Sequence, residues 1–271
     1  MKKYFVVSDT HSFLTALLKA LNDKGFENDN PDHILIICGD LFDRGDESRE
    51  MFEFVKSLPE DRFIYIRGNH EDLLFDCYNQ IIHNEIVSSH HYSNGTVKTI
   101  AHLSGLKTED CGWLMYDTWS PLRGNVMDKL PEILEFINKR SVDYVEIGNY
   151  ILVHGWIPCK PSDPNPYHSR GVKYTFDENW RDGNWNTSRW INGMEAWRQG
   201  IKIEGKTIVC GHWHCSWGWS HLKQDRSEFP PKNKKDFKKS FEPFVEDGII
   251  AIDACTAYSG IVNCIVLEIE D

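Results

Sequence analysis

The stretch His33-Ile-Leu-Ile-Ile-Cys-Gly-Asp-Leu-Phe-Asp-Arg-Gly45 decides the fold. Its first part, His33–Cys38, is a short apolar run and is predicted to be a parallel strand buried on both faces. Two aspartates and an arginine follow at once, so chargeable groups begin where the strand ends. The glycines on either side permit tight turns and close backbone approach. This pattern predicts an α/β sheet with a polar site at its carboxyl edge.

Strands and helices alternate on both sides of this stretch. Tyr4–Val7 and Arg62–Ile66 are rich in β-branched and aromatic residues and are predicted to be strands. Leucines spaced i, i+3, i+4, i+7 predict a helix from Leu14 to Leu21. Glu71–Ile82 is predicted to be a further helix. This alternation favours a mainly parallel sheet with helices packed on it.

The pattern is weaker after residue 83. A helix at Lys129–Asn138, a hairpin over residues 142–153, a strand at Lys206–Cys210 and two closing strands are predicted. No internal repeat or linker interrupts the chain. We therefore expect one domain over residues 1–271, with loop-rich insertions near 84–125, 156–190 and 222–245.

Charge and cysteine content narrow the class of protein. The 271 residues carry 30 Lys+Arg and 41 Asp+Glu, a formal net charge of −11. General binding of nucleic acid or of an anionic membrane surface is therefore not expected, because like charges repel. The apolar runs are too short for a membrane span, which needs about 20 residues. No CxxC pair accompanies the eight cysteines, so we expect reduced core thiols and a cytoplasmic location.

Five predicted strands deliver carboxylate, imidazole, amide or guanidinium groups just past their carboxyl ends. These are Asp9, His11, Asp40, Asp43, Arg44, Asn69, His70, His154, His212 and His214. Gathering carboxylates and imidazoles without a cation would crowd like charges and desolvate polar groups. Mixed Asp, His and Asn ligation suits Mn²⁺, Fe²⁺ or Zn²⁺. Each motif alone is more often structural, but all five in this order favour a metal site.

In order and spacing these blocks resemble the calcineurin-like metallophosphoesterases. Asp43-Arg-Gly45 and Asn69-His-Glu71 resemble its phosphoprotein phosphatase branch, which includes bacterial serine/threonine protein phosphatases and symmetrical dinucleoside tetraphosphatases. The resemblance implies a four-layer αββα sandwich of two mixed β-sheets flanked by helices. It also implies two divalent metal ions, with Mn²⁺ preferred and Fe, Zn or Ni as alternatives.

The resemblance further assigns roles to the motif residues. The first metal would take Asp9, His11, Asp40 and His214, and the second Asp40, Asn69, His154 and His212, with Asp40 as the bridge. A hydroxide bridging the metals would attack phosphorus. His70 corresponds to the general acid, Asp43 to its partner and Arg44 to a phosphate-binding arginine whose planar fork Lys cannot copy. The family thus implies a phosphomonoesterase of the serine/threonine protein phosphatase type acting on a phosphorylated substrate.

Other features leave alternatives open. Eight of the ten tryptophans lie between Trp156 and Trp219. Most of them are expected to pack the core, with Trp156 and Trp213 exposed near the site. The alternative is that they form a wall on which a nucleotide base stacks. A second phosphate-binding arginine has two candidates, Arg181 and Arg189. The alternative functions are a dinucleoside polyphosphate hydrolase and a non-catalytic scaffold of the same fold. His90 and His91 match no motif and are predicted to be surface or packing residues.

Overall fold

The computed structural model describes residues 1–162 and 172–269. Strands β1 to β12 are Lys2–Val7, His33–Cys38, Phe63–Ile66, Ser141–Val142, Val145–Ile147, Tyr150–Leu152, Cys159–Pro161, Tyr174–Phe176, Thr207–Cys210, Phe244–Glu246, Ile249–Ala251 and Ile265–Ile269. Helices α1 to α11 are Leu14–Asp23, Ser48–Ser57, Asn69–Ile82, Ser89–Asn94, Thr96–Leu103, Cys111–Tyr116, Leu122–Arg140, Trp185–Ser188, Gly193–Arg198, Cys215–Trp217 and Thr256–Ser259.

Two five-stranded sheets organise these elements. The first has the order β12-β1-β2-β3-β4, in which β12 is antiparallel to β1 and the other pairs are parallel. The second has the order β10-β11-β9-β6-β5, with parallel pairing at its centre and antiparallel pairing at both edges. Both sheets are therefore mixed. Strands β7 and β8 form a separate two-stranded ribbon.

Alternation along the strands builds a four-layer sandwich. Val6 and Ile36 of the first sheet meet Leu152 and Val209 of the second in a core between the sheets. The intervening residues of the first sheet face the other way and pack against α1, α2, α3, α5 and α7. The outer face of the second sheet is covered by α9, α10 and the tryptophan-rich segment. The predicted αββα architecture is confirmed. The central strand β2 is almost entirely apolar because both of its faces are buried.

The segment 84–125, expected to be rich in loops, instead contains α4, α5, α6 and the start of α7. The first three span only six to eight residues each. Helices this short are marginally stable without tertiary packing. They also contain too few turns for an apolar period to be recognised in the sequence. Here Val97 and Ile100 lie in the main helical core. That residues 1–271 form one domain stays a prediction.

The predicted hairpin over residues 142–153 is only half correct. Residues Val145–Ile147 and Tyr150–Leu152 pair as expected, but Ser141–Val142 belongs to the first sheet. The chain thus crosses from one sheet to the other between β4 and β5.

Among the described residues, no helix is long and apolar enough to cross a membrane.

Candidate active site

Six strands, three from each sheet, end around one carboxylate. Asp40 follows β2 and is buried at the centre of the group. Its Oδ2 lies 3.8 Å from Nε2 of His11 and 3.8 Å from Nε2 of His70, and its Oδ1 lies 3.3 Å from Nε2 of His154. Asn69 Oδ1 lies 2.9 Å from the same nitrogen of His154. Parallel pairing aligns the carboxyl ends of the strands within each sheet. The packing of the two sheets on each other then brings the two sets of motif residues together.

The loops that carry these residues are held in conformations that side chains rarely adopt. Asp9, His11, Asp40 and His212 have φ values of +52°, +48°, +54° and +63°. Such conformations persist only where the surrounding structure determines them, and they are concentrated at functional sites. Backbone bonds tie two of the loops together, because His11 N donates to the Asp40 carbonyl at 3.0 Å.

Glycine is required at two places beside these loops. A Cβ on Gly68 would collide with the Asp40 carboxylate, and one on Gly211 would collide with Ser8 and Asp9. Both glycines therefore permit backbone to pass directly behind a candidate ligand.

An acidic residue in the first turn of a helix stabilises the helix N-terminus, and Glu71 of α3 also has a second role. Its side chain is fully buried and accepts hydrogen bonds from the backbone N–H groups of Asp40, Leu41 and Gly68 at 3.1, 2.9 and 2.7 Å. Three donors converge on one carboxylate from two different loops. Glu71 therefore fixes the position of Asp40 relative to the start of α3.

His70 and Asp43 form a buried pair beside Asp40. The Nδ1 of His70 lies 2.7 Å from Oδ2 of Asp43, so the proton on Nδ1 is held by the carboxylate and Nε2 faces the cavity. Thr96 Oγ1 donates to the same Asp43 oxygen at 2.6 Å, and Thr99 Oγ1 accepts from the Asp43 backbone N–H at 3.0 Å. Helix α5, which sequence reasoning missed, thus supports the pair.

Burial changes the acid strength of the clustered groups. It raises the pKa of Asp40 well above its usual range, and the neighbouring charges of Asp9 and Glu71 act in the same direction. Burial and the Asp253 charge likewise raise the pKa of Asp9. Burial lowers the pKa of His212 to about 3 and that of His214 to about 4. The site therefore penalises uncompensated charge, which a bound cation would relieve.

Two groups of donor atoms fit metal ions. One consists of His11, Asp40 and His70 and the other of Asp40, His154 and His212, with the donor atoms of each group within 4.8 Å of one another. Asp40 belongs to both, as a bridging ligand would. The carboxylate and imidazole donors suit a divalent transition metal. Nδ1 of His154 lies 2.8 Å from the Cys38 carbonyl and Nδ1 of His11 lies 2.9 Å from the Phe42 carbonyl, which leaves Nε2 of both rings for ligation.

The structure places Asp9 at the edge of the first group. Its Oδ1 lies 4.0 Å from Nε2 of His11, while Oδ2 accepts from the His212 backbone N–H at 2.9 Å and from the Ser8 hydroxyl. His214 lines the cavity but belongs to neither compact group. Its Nε2 lies 3.6 Å from Oε1 of Glu228, a residue that no sequence motif marks.

Arg44 is the candidate phosphate-binding group in the cavity. One guanidinium nitrogen lies 3.4 Å from Nε2 of His70. Arg181 and Arg189, the candidates for a second such arginine, do not line the cavity. Arg181 pairs with Glu146, and the Arg189 guanidinium is held by Asp72, Asp143 and Asn186. Both arginines are engaged in ion pairs with carboxylates. These pairings join distant parts of the chain and cannot be recognised from the sequence.

The prediction that Trp156 is exposed beside the site is wrong. Its side chain is fully buried in the outer core of the second sheet, where its indole N–H donates to the Ile201 carbonyl at 3.1 Å. A large apolar ring with one donor is most stable where that donor finds a buried carbonyl. Trp213 does line the cavity, together with Trp190.

The cavity has a volume of about 440 Å³, within the usual range for a small-molecule site. Sequence reasoning missed Asn94 and Asp253 among its lining residues. Asp253 follows β11 as Asp40 follows β2, so a polar residue after an apolar strand was the available signal. Burial raises the pKa of Asp253 to about 6. Asn94 has no such signal, because it lies where α4 ends.

Several solved structures of phosphatases are similar to this chain over most of its length. Similar solved structures include a provisionally named diadenosine tetraphosphatase, with 14% identity, TM-score 0.45 and coverage of 98% of this chain and 89% of the other. A cold-active protein-tyrosine phosphatase of Shewanella has 14% identity, TM-score 0.47 and coverage of 99% and 76%. A protein serine/threonine phosphatase from Saccharomyces cerevisiae has 16% identity, TM-score 0.42 and coverage of 100% and 81%. No curated protein sequence matches.

A family model matches directly and carries the assignment. Residues 2–216 match the calcineurin-like phosphoesterase model, and this range contains nearly all the donors described above. The prediction of a metal-dependent phosphatase, a hydrolase of phosphoric ester or anhydride bonds, is confirmed. The chain belongs to the calcineurin-like phosphoesterase family.

Proposed function

We propose that this protein is a dinuclear metal-dependent phosphomonoesterase of the serine/threonine protein phosphatase type. The observation that carries the proposal is Asp40, shared by two groups of metal-ligating atoms and adjacent to the His70–Asp43 pair. We further propose Mn²⁺ as the native ion, with Fe, Zn or Ni as alternatives. The eight cysteines, all free thiols, support a cytoplasmic location.

In this proposal one ion is held by Asp9, His11 and Asp40, with His214 as a further ligand, and the other by Asp40, Asn69, His154 and His212. When bound, two such ions would activate water and neutralise charge on the phosphoryl oxygens. Arg44 then holds phosphate oxygens with its planar fork. Glu71 keeps Asp40 in place through three backbone hydrogen bonds.

His70 completes the reaction by giving a proton to the leaving oxygen. Its Nδ1 is fixed on Asp43 and its Nε2 faces the cavity between Asp40 and Arg44. A positioned proton donor of this kind contributes roughly 10²–10⁴-fold in rate. Because α5 supports Asp43 through Thr96, the ring keeps one orientation in the cavity.

A second candidate substrate class is favoured by the indoles of Trp190 and Trp213 in the cavity wall. Replacing an aromatic side chain that stacks on a base with alanine weakens binding by about 1–3 kcal/mol per base. A dinucleoside polyphosphate would then place one base on this wall and its phosphates at Arg44. The alternative function is therefore dinucleoside polyphosphate hydrolysis.

Turnover of a phosphoserine peptide and of diadenosine tetraphosphate, each with Mn²⁺ added, tests the two substrate classes. We expect a higher kcat/KM for the phosphopeptide and little effect of Trp213→Ala on it. A higher kcat/KM for diadenosine tetraphosphate, with a KM raised roughly tenfold or more by Trp213→Ala, would instead establish the nucleotide reading. Trp217→Ala, a change of a nearby indole outside the cavity lining, is the matched control.

Two arginine substitutions separate phosphate binding from structural support. Arg44→Lys should raise the inhibition constant of inorganic phosphate roughly tenfold or more, the effect of losing one charge-assisted hydrogen bond. Arg189→Gln should leave that constant nearly unchanged. It should instead lower the free energy of unfolding by roughly 1–3 kcal/mol. This is less than the loss expected when one partner of a fully buried ion pair is removed, because Asp72 and Asp143 are partly exposed. Phosphate inhibition and urea unfolding measure the two effects, and a phosphate defect in Arg189→Gln would make it the second phosphate-binding arginine.

A further inference from the structure

A second cluster of metal-ligating side chains lies outside the Asp40 centre. Asp76 on α3 and His90 and His91 on α4 place one carboxylate oxygen and two imidazole nitrogens within 4.8 Å of one another. Nε2 of His91 lies 2.9 Å from Oδ2 of Asp76. The ring centroids of His90 and His91 are 4.0 Å apart. The sequence predicted both histidines to be surface or packing residues, and it gave no sign that Asp76 faces them.

The composition of this cluster suits a transition-metal ion. The hydrogen bond between His91 and Asp76 explains why the His91 ring lies beside this carboxylate. It does not explain why the His90 ring lies against the His91 ring. Two imidazolium ions this close would repel each other, whereas two neutral rings can ligate a shared cation. His91 is fully buried and gives the cluster a fixed base, while Asp76 and His90 are exposed and leave it open to solvent.

We propose that Asp76, His90 and His91 bind a divalent transition-metal ion, with Zn²⁺ preferred over Mn²⁺. Two imidazoles and one carboxylate are a common ligand set for Zn²⁺, and a fourth position is left for water. Nitrogen ligands also favour Zn²⁺ over Mn²⁺ in the general order of divalent affinities. The site stands apart from the proposed catalytic function, because none of its ligands lines the catalytic cavity.

The position of the cluster gives the ion a structural consequence. Helix α3 begins with Asn69 and His70, and α4 ends at Asn94, which lines the catalytic cavity. The next residue, Gly95, lies so close to Arg44 that an added Cβ would be 2.5 Å from the Arg44 backbone nitrogen. An ion joining Asp76 to α4 therefore ties the helix that carries His70 to the segment that packs behind Arg44.

Zinc stoichiometry in the full-length protein tests the site. Native mass spectrometry and equilibrium dialysis with Zn²⁺ should give one equivalent less for His90→Ala and for Asp76→Asn than for the wild type. His83→Ala, which removes another exposed histidine near the end of α3, should bind as the wild type does. The difference of one equivalent holds whatever number of ions the Asp40 centre takes, so it stands or falls independently of the proposed catalytic function.

Hydrogen exchange gives a readout that does not depend on counting ions. In the wild type and in His83→Ala, added Zn²⁺ should slow amide exchange over residues 88–95, and in His90→Ala it should not. Equal zinc stoichiometry in the wild type and His90→Ala, or the same zinc-dependent protection in both, would overturn the proposal. The Asp76–His91 contact would then be a structural hydrogen bond only.

Discussion

Asp40→Asn should lose at least one bound metal ion and nearly all phosphatase activity. Asp40 belongs to both groups of ligating atoms, and asparagine offers a neutral oxygen where a bridging carboxylate is needed. Losing a group that merely orients a metal ligand costs roughly 10–100-fold, so a bridging ligand should cost more than 100-fold. Metal content by elemental analysis and kcat with an aryl phosphate measure the two effects.

The same substitution should not unfold the metal-free protein. Burial and the charges of Asp9 and Glu71 raise the pKa of Asp40, so its carboxylate is an unfavourable group in the absence of a cation. In the wild type the His70 backbone N–H donates to Oδ1 of Asp40 at 3.0 Å. Asparagine keeps an oxygen that can accept this hydrogen bond. Thermal unfolding after chelation should therefore show Asp40→Asn at least as stable as the wild type.

Asp46→Asn is the matched control for this experiment. Asp46 lies in the same loop, but its side chain is 82% exposed and pairs with Lys98. It should keep wild-type metal content and activity. Full metal content and activity in Asp40→Asn would contradict the assignment of Asp40 as the bridging ligand.

His70→Asn should keep both metal ions and lower kcat on a phosphoserine peptide by roughly 10²–10⁴-fold, the range for removal of a general acid. An alkoxide is a poor leaving group, so its departure depends on the proton that His70 supplies. An aryl phosphate releases a more stable phenolate and depends on it less. The loss of kcat should therefore be much smaller with the aryl substrate, which steady-state kinetics on both substrates will show.

Metal content decides between two roles for His70, because Nε2 also lies 3.8 Å from Asp40 and belongs to one ligating group. A fall in bound metal, with equal losses on both substrates, would make His70 a ligand rather than the acid. Asp43→Asn should give a smaller loss than His70→Asn with unchanged metal content. His102→Ala removes a half-buried histidine that contacts Thr108, and it controls for general effects of removing an imidazole.

The sequence alone determined the alternation of strands and helices before residue 83 and the polar residues that follow the strands. His33–Cys38 was predicted with its observed boundaries because it is continuously apolar and bounded by glycine. Asp40 and Asn69 could be placed at one edge because β2 and β3 are parallel neighbours whose carboxyl ends meet there. These features are local, so short-range patterns in the chain suffice to reveal them.

Only the tertiary structure decided which of the remaining residues support or shape the site. The short helices that hold Asp43 through Thr96 are stabilised by packing, and their sequences show no readable period. Trp156 is buried, whereas Trp190 and Trp213 line the cavity, although all three lie in the same tryptophan-rich stretch. Arg189 is bound by carboxylates from two other segments of the chain. Such contacts join residues far apart in sequence, and the free energy that selects them exists only once the sheets and helices have packed together.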